Sequence, residues 1–387
     1  MLEAIMNEAD ALRDQVAAYR RALHQSPEVG MDLPKTRAFV EQCLDELGVA
    51  YRELGRCGVV AVLGQGEKTI LLRADMDALP VEEKTDLPFR STNGCMHACG
   101  HDMHTAILLG TAAILKKHEA ELKGRVKLMF QPGEEYGMGA KDMIEAGVLE
   151  DPHVDVAAAL HVDALMTYEE ASYNLGVAAS SINSFFIDIQ GKGGHSSKPE
   201  EAVNPVQVAA HIITALHSLV QCEVGISAKA VLAVCTMESN GQANVISDTA
   251  KLTGTLRCYD AAVQARLLGR IEELVTGTAR LFGATATVKF LGTPCLVVDE
   301  TAAAQLVPAL ELAYGKEHVT LSTQPLAGSE DFSYVSAAVP TFFCWVGAGN
   351  AENAPIHNPG VRFDERTLVQ GMRAMTAFAF YWTDHNS

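Results

Sequence analysis

The run His97-Ala98-Cys99-Gly100-His101-Asp102-Met103-His104 places a thiol and several imidazoles within a few residues. A cysteine and a histidine two apart can converge on one ion only from an irregular segment, because on a helix they diverge and on a strand they need a bent turn. Taken alone, Cys99 and His101 are more often a buried thiol beside an exposed histidine. A structural zinc site on Cys95 and Cys99 is a second reading, weakened because no further Cys or His pair at zinc-finger spacing follows. Other donors stand elsewhere: Glu134 and Glu135 after Pro132-Gly133, His161 at the end of an apolar run, and His357 between Pro355 and Pro359. Each has an ordinary reading too, the glutamates as a solvated surface and His161 as a satisfied core histidine. Jointly, Cys99, His101, Glu135, His161 and His357 are five candidate ligands, more than one four-coordinate ion needs and about right for two ions sharing a bridging thiolate and water. Adjacent carboxylates in a turn can point apart, one binding a cation and the other, Glu134, reaching a water. Metal-assisted hydrolysis requires that division of labour.

The elements that must position these residues share one pattern. Apolar runs at 69–72, 126–130, 156–160 and 341–346 read as buried strands, each ending in polar or glycine-rich sequence: Arg73-Ala74-Asp75-Met76-Asp77, Gln131-Pro132-Gly133-Glu134-Glu135, His161, and Gly347-Ala348-Gly349. Helical spacing covers 3–24, 34–47, 103–118 and 140–146, with Asp102 a candidate N-cap. This alternation predicts an α/β fold with a mostly parallel sheet covered by helices, and such sheets gather ligands at the carboxyl ends of their strands. Between 178 and 290 the pattern changes to strand 184–189, helix 203–220, strands 230–237 and 250–256, helix 261–282 and strand 285–290. That βαββαβ order predicts a ferredoxin-like α+β domain inserted into the first, so the catalytic domain is 1–177 plus 291–387 and the insert is 178–290.

A chain of 387 residues, 48% hydrophobic and 20% charged, has room for two cores. Its formal net charge of -18 argues against a nucleic-acid surface. Acids near the N-terminus and the lack of a long apolar run predict a cytoplasmic protein with no membrane partner. Nine scattered cysteines, an odd number, suit a reducing compartment, and most should be buried small hydrophobes. No Gly-x-Ser-x-Gly elbow is present, Gly64-Gln65-Gly66-Glu67-Lys68-Thr69 lacks P-loop spacing, and Gly137-Met138-Gly139 lacks the third glycine of a dinucleotide fingerprint.

Six motifs in order, Arg73 to Pro80, His97 to Asp102, Gln131 to Glu135, Gly193-Gly194-His195-Ser196-Ser197-Lys198-Pro199, Gly328-Ser329-Glu330-Asp331-Phe332 and Ile356-His357-Asn358, cover nearly the whole chain. Together they resemble the amidohydrolase branch of the dinuclear metallopeptidase and aminoacylase family, which includes hippurate hydrolases, N-acyl-amino-acid amidohydrolases and indoleacetyl-amino-acid hydrolases. The resemblance implies that Cys99, His101, Glu135, His161 and His357 bind two divalent ions (Zn, Mn, Ni or Co) with Cys99 bridging, and that Glu134 is the general base. It makes the insert a lid and homodimerisation domain, with higher oligomers open, and has His195 polarise the substrate carbonyl, in cis or across the dimer. Asn244, Arg257 and Gly328 would lie near the substrate. Wider-family peptidases carry a ligand His-x-Asp where this chain has Asp75-Met76-Asp77, which leaves Asp75, Asp77 and Asp102 supporting the ligands rather than binding metal. The expected substrate is a small N-acyl amino acid whose free carboxylate an arginine such as Arg257 would match. A dipeptidase or carboxypeptidase of the same family is the alternative activity, and a catalytically silent metal-binding protein is the alternative class.

Overall fold

The computed structural model describes residues 1–226 and 228–386. The chain divides into two compact units, Met1–Ala178 with Val297–Pro325 and 331–387, and Ala179–Leu296 with Leu326–Glu330. Residues 291–296 and 326–330, which the sequence pattern grouped with the larger domain, thus cluster with the smaller unit.

The larger unit is built on an eight-stranded sheet. Its strands are β1 (Tyr51–Leu54), β2 (Gly58–Gly64), β3 (Thr69–Asp75), β4 (Arg125–Gln131), β5 (Val156–Asp163), β6 (Ala171–Tyr173), β7 (Val319–Leu321) and β8 (Thr341–Gly347), in spatial order β1-β2-β4-β3-β5-β8-β6-β7. The central four, β4, β3, β5 and β8, are mutually parallel, whereas β1, β2 and β6 pair antiparallel toward the edges. Every residue of β3 is buried, as expected of a strand covered on both faces. The parallel centre brings the carboxyl ends of β3, β4 and β5 to one side, and the register sets His161 of β5 beside Trp345 of β8.

Helix His101–Lys117 is almost wholly buried and packs against the final helix, Arg366–Asn386. Their approach depends on two glycines. A Cβ on Gly110 would stand 2.3 Å from Met372 Sδ, and one on Gly371 2.5 Å from Ile107 Cδ1. Near the N-terminus the expected continuous helix over 3–24 is interrupted: Leu2–Met6 passes into a 3₁₀ turn, Asn7–Asp10, before Arg13–Gln25. Asn7 and Asp10 are weak helix formers, and burial of Ile5, Met6 and Ala9 fixes the bend.

The smaller unit has the βαββαβ order, with strands Ile182–Gln190, Ala230–Ser239, Thr249–Cys258 and Thr285–Thr293 and helices Pro205–Glu223 and Ala261–Leu281. Its sheet is antiparallel throughout, in the spatial order second, third, first, fourth, the ferredoxin-like arrangement. Side chains of Asn204 and Asp260 accept the Val206 and Val263 amides and so cap the two helices. Phe185, Ile187, Leu216, Leu252 and Ile271 form part of its core. Six of the nine free cysteines are buried; Cys95 is half-buried, and Cys222 and Cys235 are exposed. Among the described residues, no helix is long and apolar enough to cross a membrane.

Candidate metal centre

Cys99 precedes the buried helix and His101 opens it, with Gly100 as N-cap at φ +91°. Only glycine adopts that left-handed turn freely, and a Cβ there would also stand 2.4 Å from Val162 Cγ2. This turn is the irregular segment that Cys99 and His101 need in order to converge. It also corrects the capping expectation: Asp102 lies inside the first turn, wholly buried, and Gly100 holds the cap position.

The other candidate donors arrive from strand ends and loops. Asp77, just past β3, accepts the Glu134 amide at 3.0 Å and the Glu135 amide at 3.1 Å with its two carboxylate oxygens. One buried carboxylate thereby shapes the turn after β4 that carries both glutamates. His161 lies in β5 two residues before its end, with Nε2 3.5 Å from Cys99 Sγ. His357 takes the left-handed region at φ +66°, unusual for a residue with a Cβ, while its amide donates to Ala98 O at 2.8 Å. Its Nε2 is 3.3 Å from Glu135 Oε1.

Among the described residues, the expected ligands and Glu134 form three overlapping groups: Cys99, His101 and His161; Cys99, Glu135 and His357; and His101, Glu134 and Glu135. In each, one ligand atom per residue lies within 4.8 Å of the others. Cys99 belongs to two groups, as a bridging thiolate would. None of the groups contains Cys95, so nothing among the described residues supports a structural site on Cys95 and Cys99.

Hydrogen bonding prepares the histidines. His101 Nδ1–H donates to Asp77 O at 2.9 Å, and His161 Nδ1–H donates to Val162 O at 2.8 Å. Each ring therefore has Nε2 available for an ion. His101 Nε2 is buried and has no hydrogen-bond partner among the described residues. Burial disfavours charge on His101, but Asp75 and Asp77 outweigh it and hold its pKa up to about 10. The same negative charge favours a divalent cation at that nitrogen, and binding the cation displaces the second ring proton. Burial pulls His161 down to about 4, which keeps it neutral as a ligand must be. Burial, then Glu135 and Glu134, pushes the Cys99 thiol well up, so a cation is needed to favour the thiolate. The donor set of thiol, imidazole and carboxylate fits divalent transition metals.

A layer of paired charges lies behind these donors. Arg73 Nη1 is 2.7 Å from Asp75, and Arg73 Nη2 donates to Asp331 at 3.2 Å. Asp331 also accepts from Gln131 Nε2 at 2.6 Å and from the Ala140 amide at 2.9 Å, and its own amide donates to Glu134 Oε1 at 3.3 Å. Asp102 accepts from Arg20 Nε at 2.7 Å and from His24 Nδ1 at 2.8 Å, and His24 Nε2 reaches Glu83 at 3.2 Å. Burial opposes an Asp102 carboxylate, but Arg20 and His24 outweigh it and depress its pKa strongly; Asp102 and Glu83 likewise raise that of His24. Sequence reasoning missed Arg20, His24, Glu83, His104 and the clasp made by Asp331. One signal was available, since His104 follows His101 at the spacing that shares a helix face.

The residues singled out in the smaller unit form two local groups. His195 lies on a two-residue strand paired with Val245–Ile246, and Asn244 O accepts the Ser196 amide at 3.2 Å. The Ser197 amide donates to His195 Nδ1 at 3.2 Å, so a neutral ring carries its proton on the exposed Nε2 side. Arg257 lies within strand Thr249–Cys258 and donates from Nη1 to Ala327 O at 3.2 Å, next to Gly328, whose carbonyl accepts from Ser180.

The sequence pattern of the peptidase family M20/M25/M40 matches residues 71–381. The chain belongs to that family. The M20 chain is 36% identical over 369 residues to the Arabidopsis thaliana IAA-amino acid hydrolase ILR1-like 4, covering 92% of this chain and 83% of that one. It is 34% identical over 363 residues to the Bacillus subtilis N-acetyl-L-cysteine deacetylase, covering 93% and 86%. The crystal structure of the Bacillus subtilis YXEP protein, a dinuclear metal binding peptidase from the M20 family, superposes with a TM-score of 0.80 at 29% identity, over 96% of this chain and 98% of that one. The protein is a metal-dependent amidohydrolase of the M20 family.

Proposed function

We propose that this enzyme cleaves the amide bond of N-acyl amino acids, releasing the acyl group as an acid and the amino acid. The observation that carries the reading is the sharing of Cys99, His101 and Glu135 among three donor groups, with Glu134 in the third. Relatives named for cleaving an indoleacetyl or an acetyl amide of an amino acid support the substrate class.

Cys99, His101, Glu135, His161 and His357 would hold two divalent ions of zinc, manganese, nickel or cobalt. When bound, the ions supply Lewis acidity that polarises the amide carbonyl and makes the attacking water more acidic. Glu134 has a role distinct from the ligands: its carboxylate takes a proton from the attacking water and passes it to the leaving nitrogen. Asp77 keeps Glu134 and Glu135 apart by holding both amides, and Asp331 holds the Glu134 carboxylate from behind. His195 donates from Nε2 to the carbonyl oxygen as negative charge develops there, a contact of the kind worth about 100-fold to 1000-fold in rate. Arg257 pairs with the free carboxylate of the amino acid, and Asn244 and Gly328 line its place. Asp75 and Asp102 orient the ligands.

We further assign the smaller unit, 178–290 as the sequence pattern draws it, as lid and dimerisation domain. Its outer strand Ala230–Ser239 leaves Val231 and Met237 exposed at a sheet edge, a surface suited to a second copy. The odd, unpaired cysteines fit a cytoplasmic setting.

The test is a panel of N-acetyl, N-benzoyl and long-chain N-acyl amino acids and dipeptides, assayed after metal removal and reconstitution with each ion. N-acyl amino acids should be turned over fastest; preference for dipeptides would replace this reading with a peptidase. Glu134→Gln should retain bound metal and lose about 100-fold to 10,000-fold in turnover. An active Glu134→Gln enzyme removes the assigned base. Light scattering should give the mass of a dimer, and a monomer would remove the dimerisation role.

A further inference from the structure

His104 is buried at the candidate centre, yet the reaction assigns it nothing. Its ring is held at both nitrogens. Nδ1–H donates to Asp75 Oδ1 at 2.6 Å, and Nε2 accepts the Val162 amide at 2.9 Å. A peptide N–H can only donate, so the lone pair sits on Nε2 and the proton on Nδ1. Asp75, His101 and His104 do gather ligand atoms within 4.8 Å. With both nitrogens engaged, however, His104 has no lone pair to offer an ion.

Its contacts lead to a residue that does. Arg73 holds Asp75, Asp75 holds His104, and His104 holds the Val162 amide at the end of β5. The Val162 carbonyl takes the Nδ1–H of His161, leaving His161 Nε2 3.5 Å from Cys99 Sγ. The rings of His104 and His161 meet edge to face, with centroids 4.6 Å apart.

We infer that His104 is a positioning residue rather than a ligand: fixed as the Nδ1–H tautomer between Asp75 and the Val162 amide, it holds the end of β5 so that His161 presents Nε2 beside Cys99. The inference rests on the proposed role of Cys99 and His161 as metal ligands. The choice of side chain follows from the geometry. A neutral imidazole offers a donor and an acceptor at separate ring positions, whereas Asn and Gln carry both on one short amide. Asn at 104 can keep the contact to Asp75, Gln can keep the one to Val162, and neither keeps both.

Two measurements test this. Nitrogen-15 NMR of the histidine-labelled parent protein should show His104 as the Nδ1–H tautomer; the Nε2–H tautomer overturns the inference and requires no variant. Cobalt(II) titration of the parent, His104→Asn and His104→Gln, with folding of each checked by its melting transition, should show affinity about 10–100-fold weaker in both variants. The thiolate-to-cobalt charge-transfer band should shift as the placement of His161 relaxes. Folded variants with parental affinity and spectrum overturn the positioning role alone. A parent protein that binds no cobalt overturns the metal reading, and this inference with it.

Discussion

The two units differ in what their interiors hold besides apolar side chains. Around the carboxyl edge of its sheet the larger unit buries Arg73, Asp75, Asp77, His101, Asp102, His104 and Asp331, all at 2% exposure or less. The smaller unit closes over a core of Phe185, Ile187, Ile189, Leu216, Leu252 and Ile271. Apolar burial stabilises by about 25 cal/mol per Å² whatever the direction of contact. A buried charge must instead be paired and fully hydrogen-bonded merely to break even, and well-packed apolar replacements are often as stable. The paired charges of the larger unit are thus poorly explained by stability. They make sense as supports that hold Cys99, His101, Glu134, Glu135 and His161 in one arrangement.

The strongest way to break this comparison is at the donor group. Cys99→Ser should lose metal and hydrolysis together, activity falling to background, while hydrogen exchange in the smaller unit stays as in the parent. Metal content by emission spectroscopy decides it. Unchanged metal would reduce Cys99 to a buried thiol, and the charges behind it would need another purpose.

Next in size is the support itself. Asp102→Ala leaves Arg20 and His24 facing each other without the carboxylate that binds both, and should cost about 3–5 kcal/mol in urea unfolding. The loss should be accompanied by weaker metal binding, because Asp102 adjoins His101 on the first turn. Parental metal affinity would show that the network serves stability alone.

Much of this was legible in the chain. The parallel centre of the sheet and the βαββαβ unit follow from apolar runs and their order, since a strand's period and length are local properties. Cys99 stood out because it shares a short run with several histidines, Glu134, Glu135 and His161 because they ended apolar runs, and the structure does bring them together. Arg20 and His24 did not stand out. Their partner Asp102 lies 82 and 78 residues away, and a buried arginine on an amphipathic helix looks like any surface one until its partner is known. The helix break at Asn7 was hidden likewise, because packing of Met6 and Ala9 decides it rather than glycine or proline.

The apolar side of the comparison has its own test. Leu216→Ala in the smaller core should cost about 2–5 kcal/mol, most visibly as faster exchange in helix Pro205–Glu223. Metal content should be unchanged, since Leu216 belongs to the apolar core of that unit. Loss of metal in this variant would mean that the integrity of the smaller unit supports the donor group.

The smallest effect asks whether burial, rather than charge itself, makes the larger unit's network matter. His118, at the solvent end of helix His101–Lys117, bonds Glu121 at 2.8 Å and Glu8 at 3.0 Å. The hydrogen bond to Glu121, with help from Glu8 and against some desolvation, raises its pKa. A histidine raised on folding contributes stability that is fully present below its unfolded value of about 6.5 and is lost as pH climbs through the folded value. His118→Gln should therefore cost no more than about 1 kcal/mol at about pH 6 and nothing at about pH 9. Unfolding curves at the two pH values measure it. A cost that persists at the higher pH would come from packing, and a cost as large as that of Asp102→Ala would show that partly exposed ion pairs hold this unit as firmly as buried ones.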